Sequence, residues 1–193
     1  MTVPAPTRSP NLVVALLDAC VLFPVTLRDA LLRAAEADLF RPLWSADILD
    51  ELERHLIADA RASPASVDRL FRAMRQAFPD AVVTGYRHLT NQLQNHPKDR
   101  HVLAAAIVGN ANVVVTRNVK DFRDEAVVPS KVGVQTPDAV LCRLLDGSAA
   151  TMLGIVRDQA ATFNRPAFDV DDVIDSLARS APVFADRVRV LFS

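Results

Sequence analysis

Leu12-Val13-Val14-Ala15-Leu16-Leu17-Asp18-Ala19-Cys20-Val21-Leu22-Phe23 is an apolar run broken by one carboxylate. A short run of this kind fits a strand buried inside an α/β sheet. Asp18 ends that strand. A carboxylate held among hydrocarbon is costly unless it meets water, a donor or a cation, so Asp18 needs a function.

C-terminal to this strand, residues 24–26 break the chain, and Leu27, Ala30, Leu31, Ala34, Ala35 and Leu39 recur at helical spacing. Arg41-Pro42-Leu43-Trp44 reads as a second short strand, and Ser45 is suited to cap the helix that follows. On that helix, over residues 46–57, Ile48, Leu49, Leu52 and Leu56 share one apolar arc. Asp47, Glu51 and His55 line one border of the arc, while Asp50 and Arg54 sit nearer the back, so Glu51 is the acid better placed to face a cleft. A further helix is predicted over residues 64–78, its arginines read as a wet face, then a short strand Ala81-Val82-Val83-Thr84 and a weakly helical stretch over 86–94.

At Asn95 the pattern sharpens. Asn95 or His96 is the predicted cap, Pro97 the first helical position, and Asp99 falls in the first turn of a helix apolar on every side from Val102 to Val108. A helix start favours a carboxylate by itself, which is the plain structural alternative for Asp99. Gly109-Asn110-Ala111-Asn112 turns the chain into Val113-Val114-Val115-Thr116, a β-branched run expected inside a parallel sheet, followed by Arg117-Asn118 and Asp121. Ligands of open parallel sheets collect beyond the carboxyl ends of the strands, where Asp18 and the 118–121 loop both lie. Val132-Gly133-Val134-Gln135 reads as the last strand, and a helix begins at Pro137 and runs through Leu145.

Beyond residue 146 no strand is expected. Residues 149–163, 170–178 and 182–192 read as three helices, with Asn164-Arg165-Pro166 as a linker and Asp169 as a cap. The predicted organisation is a loose tail over 1–10, an α/β domain over 11–145 and a helical extension over 146–193.

Half of the 193 residues are hydrophobic and the net charge is −1, so nothing attracts nucleic acid to the chain as a whole. Charge is uneven: residues 1–53 sum to −4 and 87–123 to +4, placing candidate ligands early and candidate phosphate contacts in the middle. Cys20 and Cys142, far apart and in apolar sequence surroundings, read as buried thiols. The first residues do not form an export signal, and no stretch approaches the roughly 20 apolar residues of a membrane span, so the expected compartment is the cytoplasm.

Asp and Glu side chains without clustered Cys or paired His suit a hard cation such as Mg²⁺ or Mn²⁺. Such an ion can lower the pKa of bound water and stabilise the leaving oxygen of a phosphodiester. Other chemistries lack their parts. Five glycines make neither a P-loop nor a dinucleotide fingerprint, and His55, His88, His96 and His101 do not form a zinc-hydrolase helix. His101 reads as a packed or surface histidine.

Four segments in this order resemble the PIN-domain nucleases, and within them the VapC-like toxins of toxin–antitoxin modules. Leu16-Leu17-Asp18-Ala19-Cys20-Val21-Leu22 is similar to the opening strand and first acid. Trp44-Ser45-Ala46-Asp47-Ile48-Leu49-Asp50-Glu51-Leu52 resembles the second-acid helix, and His96-Pro97-Lys98-Asp99-Arg100-His101-Val102 the third. Val114-Val115-Thr116-Arg117-Asn118-Val119-Lys120-Asp121-Phe122 is similar to the fourth-acid loop, although Asn118 stands where much of the family has Asp.

The resemblance covers about residues 11–145, and the helical tail is similar to one carried by some of these toxins. It implies a three-layer α/β/α fold with a central parallel sheet, and a Mg²⁺- or Mn²⁺-dependent endoribonuclease. Asp18, Glu51, Asp99 and Asp121 are the implied catalytic metal ligands, with Thr116, Asn118 and Arg100 orienting water or substrate. RNA, a cognate antitoxin and a second copy of the chain are the implied partners. Two alternatives stay open: a non-catalytic α/β module whose acids cap helices and receive an Arg-rich partner, and a nuclease of this type directed at DNA.

Overall fold

The computed structural model describes residues 12–122, 130–162 and 168–192. The expected tail over 1–10, residue 163 and the linker Asn164-Arg165-Pro166 lie outside the described residues. Five strands, β1 (Val14–Leu17), β2 (Arg41–Ser45), β3 (Val82–Val83), β4 (Val113–Val115) and β5 (Gly133–Gln135), form one parallel sheet in the order β3-β2-β1-β4-β5. The opening strand is therefore the centre. Ala15, Leu16 and Leu17 are all buried, so both pleated faces of β1 are covered, as parallel sheets require.

Helices flank the sheet. α1 (Ala19–Leu22) leaves β1 directly, and α2 (Val25–Glu36), α3 (Ala46–Ala58) and α4 (Pro64–Ala77) follow around β2. α5 (Arg100–Val108) packs against β1, β2 and β4. Residues 102–106 are buried without exception, which explains a sequence apolar on every side. Its C-terminal Gly109 approaches the sheet so closely that a Cβ would lie 2.7 Å from Leu43 Cδ1 and 2.9 Å from Val83 Cγ2. The left-handed turn residue is instead Asn110, at φ 51°. One turn thus uses glycine for space and asparagine for conformation.

The helix predicted to start at Pro97 does not start there. Residues 97–99 form a 3₁₀ turn closed by Asp99 N–H donating to His96 O at 2.9 Å, and the α-helix begins at Arg100. Asp99 consequently becomes the residue before the helix rather than one inside its first turn. The stretch 86–94 also settles as 3₁₀ structure, over Arg87–Gln92.

The C-terminal region contains α6 (Pro137–Gly147), α7 (Ala149–Thr162), α8 (Val170–Ala178) and α9 (Pro182–Phe192). It shares one continuous hydrophobic core with the sheet region. Three polar links reach α2: Gln159 Nε2 donates to Thr26 O at 2.9 Å, Thr26 Oγ1 lies 2.8 Å from Ser176 Oγ, and the Arg33 guanidinium donates to Thr162 Oγ1 at 3.2 Å. Among the described residues no single helix is long and apolar enough to cross a membrane.

Candidate functional site

The register of β1 and β4 builds the site. Leu17 pairs with Val115, so the next residues on the two strands, Asp18 and Thr116, stand side by side just beyond the sheet. Asp18 N–H extends the ladder by donating to Val115 O at 3.1 Å, and Thr116 Oγ1 donates to Asp18 Oδ2 at 2.7 Å. Cys20 Sγ donates to the same oxygen at 3.1 Å. Asp18 is only 4% exposed and lies beneath the surface, not among the residues that line the neighbouring cleft, though its charge reaches Asp99 there.

Cys20 corrects the expectation of an apolar thiol. It is half-buried, bonded to Asp18, and accepts Arg117 N–H at 3.3 Å. Burial, then the neighbouring Asp18 charge, pushes its pKa up to about 12, so it acts as a neutral donor. A bond between residues 18 and 20 depends on how the chain bends after the strand, which residue type alone does not reveal.

That neighbouring cleft, of about 1050 Å³, is lined by Glu51, Asp99, Asn118 and Asp121, with Arg54, Lys98 and Lys120 on its walls. The sequence places these groups on α3, the turn before α5 and the loop after β4, and the parallel sheet brings them to one end. Burial, then the charges of Asp18 and Asp121, raises the pKa of Asp99 above the ordinary carboxylate range, while His96 and His101 partly oppose the rise. Asp99 thus sits within electrostatic reach of two other predicted ligands.

Glu51 faces histidines. His55 Nε2 lies 3.6 Å from Glu51 Oε1 and His101 Nε2 lies 3.8 Å from Glu51 Oε2. His101, a partly exposed helix histidine as expected, lines the cleft wall. Asp47 also borders the cleft, but Arg87 and the Tyr86 hydroxyl hold it, and the Arg87 hydrogen bond leads in keeping its pKa low. Arg100 does not line the main cleft: its Nε donates to Asn95 O at 3.3 Å, and it borders a smaller neighbouring pocket.

Neither Asp18 nor Asp99 spends its side chain on capping. Each immediately precedes a helix, yet neither makes the side-chain bond to a backbone amide that would define a cap. Ser45, Ser63 and Thr136 make that bond at other helix starts. The capping explanation for these two acids therefore lacks its central contact.

Among the described residues, no group of three His, Cys, Asp or Glu side chains is placed so that it could hold a metal ion as it stands. The donor set nevertheless suits a hard cation, which takes oxygen ligands and keeps several waters while using only one or two protein carboxylates. His96 Nδ1 lies 3.5 Å from Asp99 Oδ2, and the repulsion from Asp18 and Asp121 that remains at Asp99 is what such a cation would relieve.

A PIN-domain family model matches residues 14–120, more than half of the chain, and a VapC50 C-terminal domain model matches residues 137–190. A Mycobacterium tuberculosis (strain ATCC 25618 / H37Rv) protein named "Putative ribonuclease VapC50" is 36% identical over 112 residues, 58% of this chain and 66% of that relative. No solved structure matches. With a parallel sheet, acids gathered at its carboxyl end and this family match, the chain belongs to the PIN-domain family and carries a VapC50-type C-terminal domain after it.

Proposed function

We propose that the protein is a Mg²⁺- or Mn²⁺-dependent endoribonuclease, the toxin of a toxin–antitoxin pair. The observation that carries this reading is the convergence of Glu51, Asp99 and Asp121 on one cleft with Arg54, Lys98 and Lys120 along it, Asp99 making no cap and lying within electrostatic reach of Asp18. Asp18, Glu51, Asp99 and Asp121 would hold the cation. When bound, it supplies charge neutralisation and an acidified water for in-line attack on phosphorus.

The remaining work belongs to the side chains. Thr116 and Cys20 both donate to Asp18 Oδ2, fixing the carboxylate and leaving Oδ1 as the oxygen turned to other partners. Asn118 on the wall offers a neutral amide for water or phosphate, and Asn118 N–H donates to Thr116 Oγ1 at 3.1 Å, tying this loop to the same cluster. Arg54, Lys98 and Lys120 meet phosphate oxygens along the cleft. The family reading adds a cognate antitoxin and a dimeric assembly, and the relative's name favours RNA over DNA.

The test is cleavage of an RNA and single-stranded DNA panel by purified protein with Mg²⁺ or Mn²⁺ titrated in. Cutting of RNA that stops with chelator and in Asp18→Asn is the expected result. A folded Asp18→Asn protein as fast as wild type would overturn the assignment, and a tight Arg-rich partner without any cleavage would favour an interaction module.

A further inference from the structure

Next to the main cleft, and sharing His96, Lys120 and Asp121 with it, is a second pocket of about 260 Å³ that also includes Asn95 and Arg100. Asn95 is 1% exposed, and neither its Nδ2 nor its Oδ1 has a hydrogen-bond partner. Among the described residues it is the side chain in which both ends of a buried polar group go unpaired. Leaving such a group unsatisfied is expensive, because desolvation is incurred and no bond replaces it. The backbone around it is not loose: Asn95 O receives Arg100 Nε, and the next residue, His96, donates its N–H to Asp121 O at 3.0 Å. The carboxamide is therefore held in place without local employment.

We infer that this pocket is a nucleobase subsite in which the Asn95 carboxamide reads an adenine next to the scissile phosphate. The inference rests on the nuclease reading and adds sequence selectivity to it. An asparagine pairs with adenine in a bidentate way, accepting from N6 and donating to N7, and unpaired RNA leaves that edge free. Lys120 is exposed on the boundary between the two pockets, where a phosphate joining the scissile nucleotide to the read base would pass. Arg100 provides a second cation on the pocket wall. Gln94, His96 and Pro97 around the pocket are exposed, and a base would have to displace them to reach the buried Asn95 carboxamide.

Wild-type protein, Asn95→Asp and Asn95→Leu are compared on a randomised RNA library with Mg²⁺, reading cleavage preference at each position by sequencing, with thermal melting alongside. Wild type is expected to prefer adenine at one fixed position near the cut by roughly 5- to 150-fold, the span a bidentate base contact provides. Asn95→Asp, which loses the donor, and Asn95→Leu, which loses both groups, should flatten that position while still cutting RNA. Asn95→Leu should also melt no lower than wild type, since an apolar isostere replaces an unpaired amide.

A preference unchanged in both variants would overturn the inference and leave the nuclease reading standing. So would a lower melting temperature in Asn95→Leu with preference intact, which would assign the amide to a buried water and the fold. If wild type cuts no RNA with either metal, the nuclease reading fails and takes this one with it.

Discussion

The acidic cleft and the C-terminal helices use the same side chain in opposite ways. In the C-terminal region aspartates are employed. Asp138 accepts Phe184 N–H at 2.8 Å and Val183 N–H at 3.2 Å, so it secures the start of α9. Asp169 and Asp172 form a reciprocal capping box, Asp146 pairs with Arg187, and Asp175 with Arg189 at 2.7 Å. At the acidic end of the sheet, Asp18 and Asp99 also stand at helix starts but cap nothing: Asp18 accepts from Thr116 and Cys20, and Asp99 is made harder to ionise by burial and then by the charges of Asp18 and Asp121. Position before a helix does not decide what a carboxylate does. What decides is whether nearby amides or other carboxylates surround it.

The sharpest way to break this contrast is to neutralise the cleft. Asp18→Asn and Asp99→Asn should each lower metal-dependent RNA cleavage by more than about 100-fold, beyond the span seen when only a supporting group around a metal is lost. Thr116→Val, which removes the stronger donor to Asp18, should cost about 10- to 100-fold in rate while Thr116→Ser restores it. On the other side of the comparison, Asp138→Ala should leave cleavage intact and destabilise the fold by about 1–2 kcal/mol in urea denaturation, as lost caps do.

A fourth measurement uses the sign of the Asp99 shift. Its folded-state pKa is raised, so the folded protein holds the proton more readily than the unfolded chain, and metal-free stability falls as pH rises through that window. Asp99→Asn should therefore melt above wild type near neutral pH in chelator, with the gap closing below about pH 4 where both states are protonated. A variant that melts lower at every pH would return Asp99 to the class of structural acids. The smallest effect expected is for Arg189→Ala, whose partners are exposed: within about 0.5 kcal/mol by thermal or urea unfolding.

Much of the α/β plan is visible in residue order because burial on both faces leaves a plain mark. Val113-Val114-Val115 and the run before Asp18 become adjacent inner strands, and the apolar 102–108 stretch becomes the helix lying on them. Ser45 is the cap it was expected to be. Pro97 misleads, since a proline at a helix start serves a 3₁₀ turn equally well, and that single turn moves Asp99 to the position before α5. The cleft wall was legible for Glu51, Asn118 and Asp121, which a helical border and a loop after a strand announce. His101 was not, because it reaches the cleft by packing beside Glu51 of α3, remote in sequence, and the Cys20 contacts to Asp18 and Arg117 depend on how the chain bends after β1. Arg100, expected to orient water or substrate, instead borders the smaller pocket and donates to Asn95 O.

The polar links between α2 and the last third of the chain carry a practical consequence. A reading frame interrupted after codon 148 would still encode every acid of the cleft, yet it would strip the cover from the flank of α2 around Thr26. Copies of such a stump would meet through the bared strip and precipitate, so nonsense mutations late in the gene should silence the protein through insolubility rather than through any defect in its chemistry.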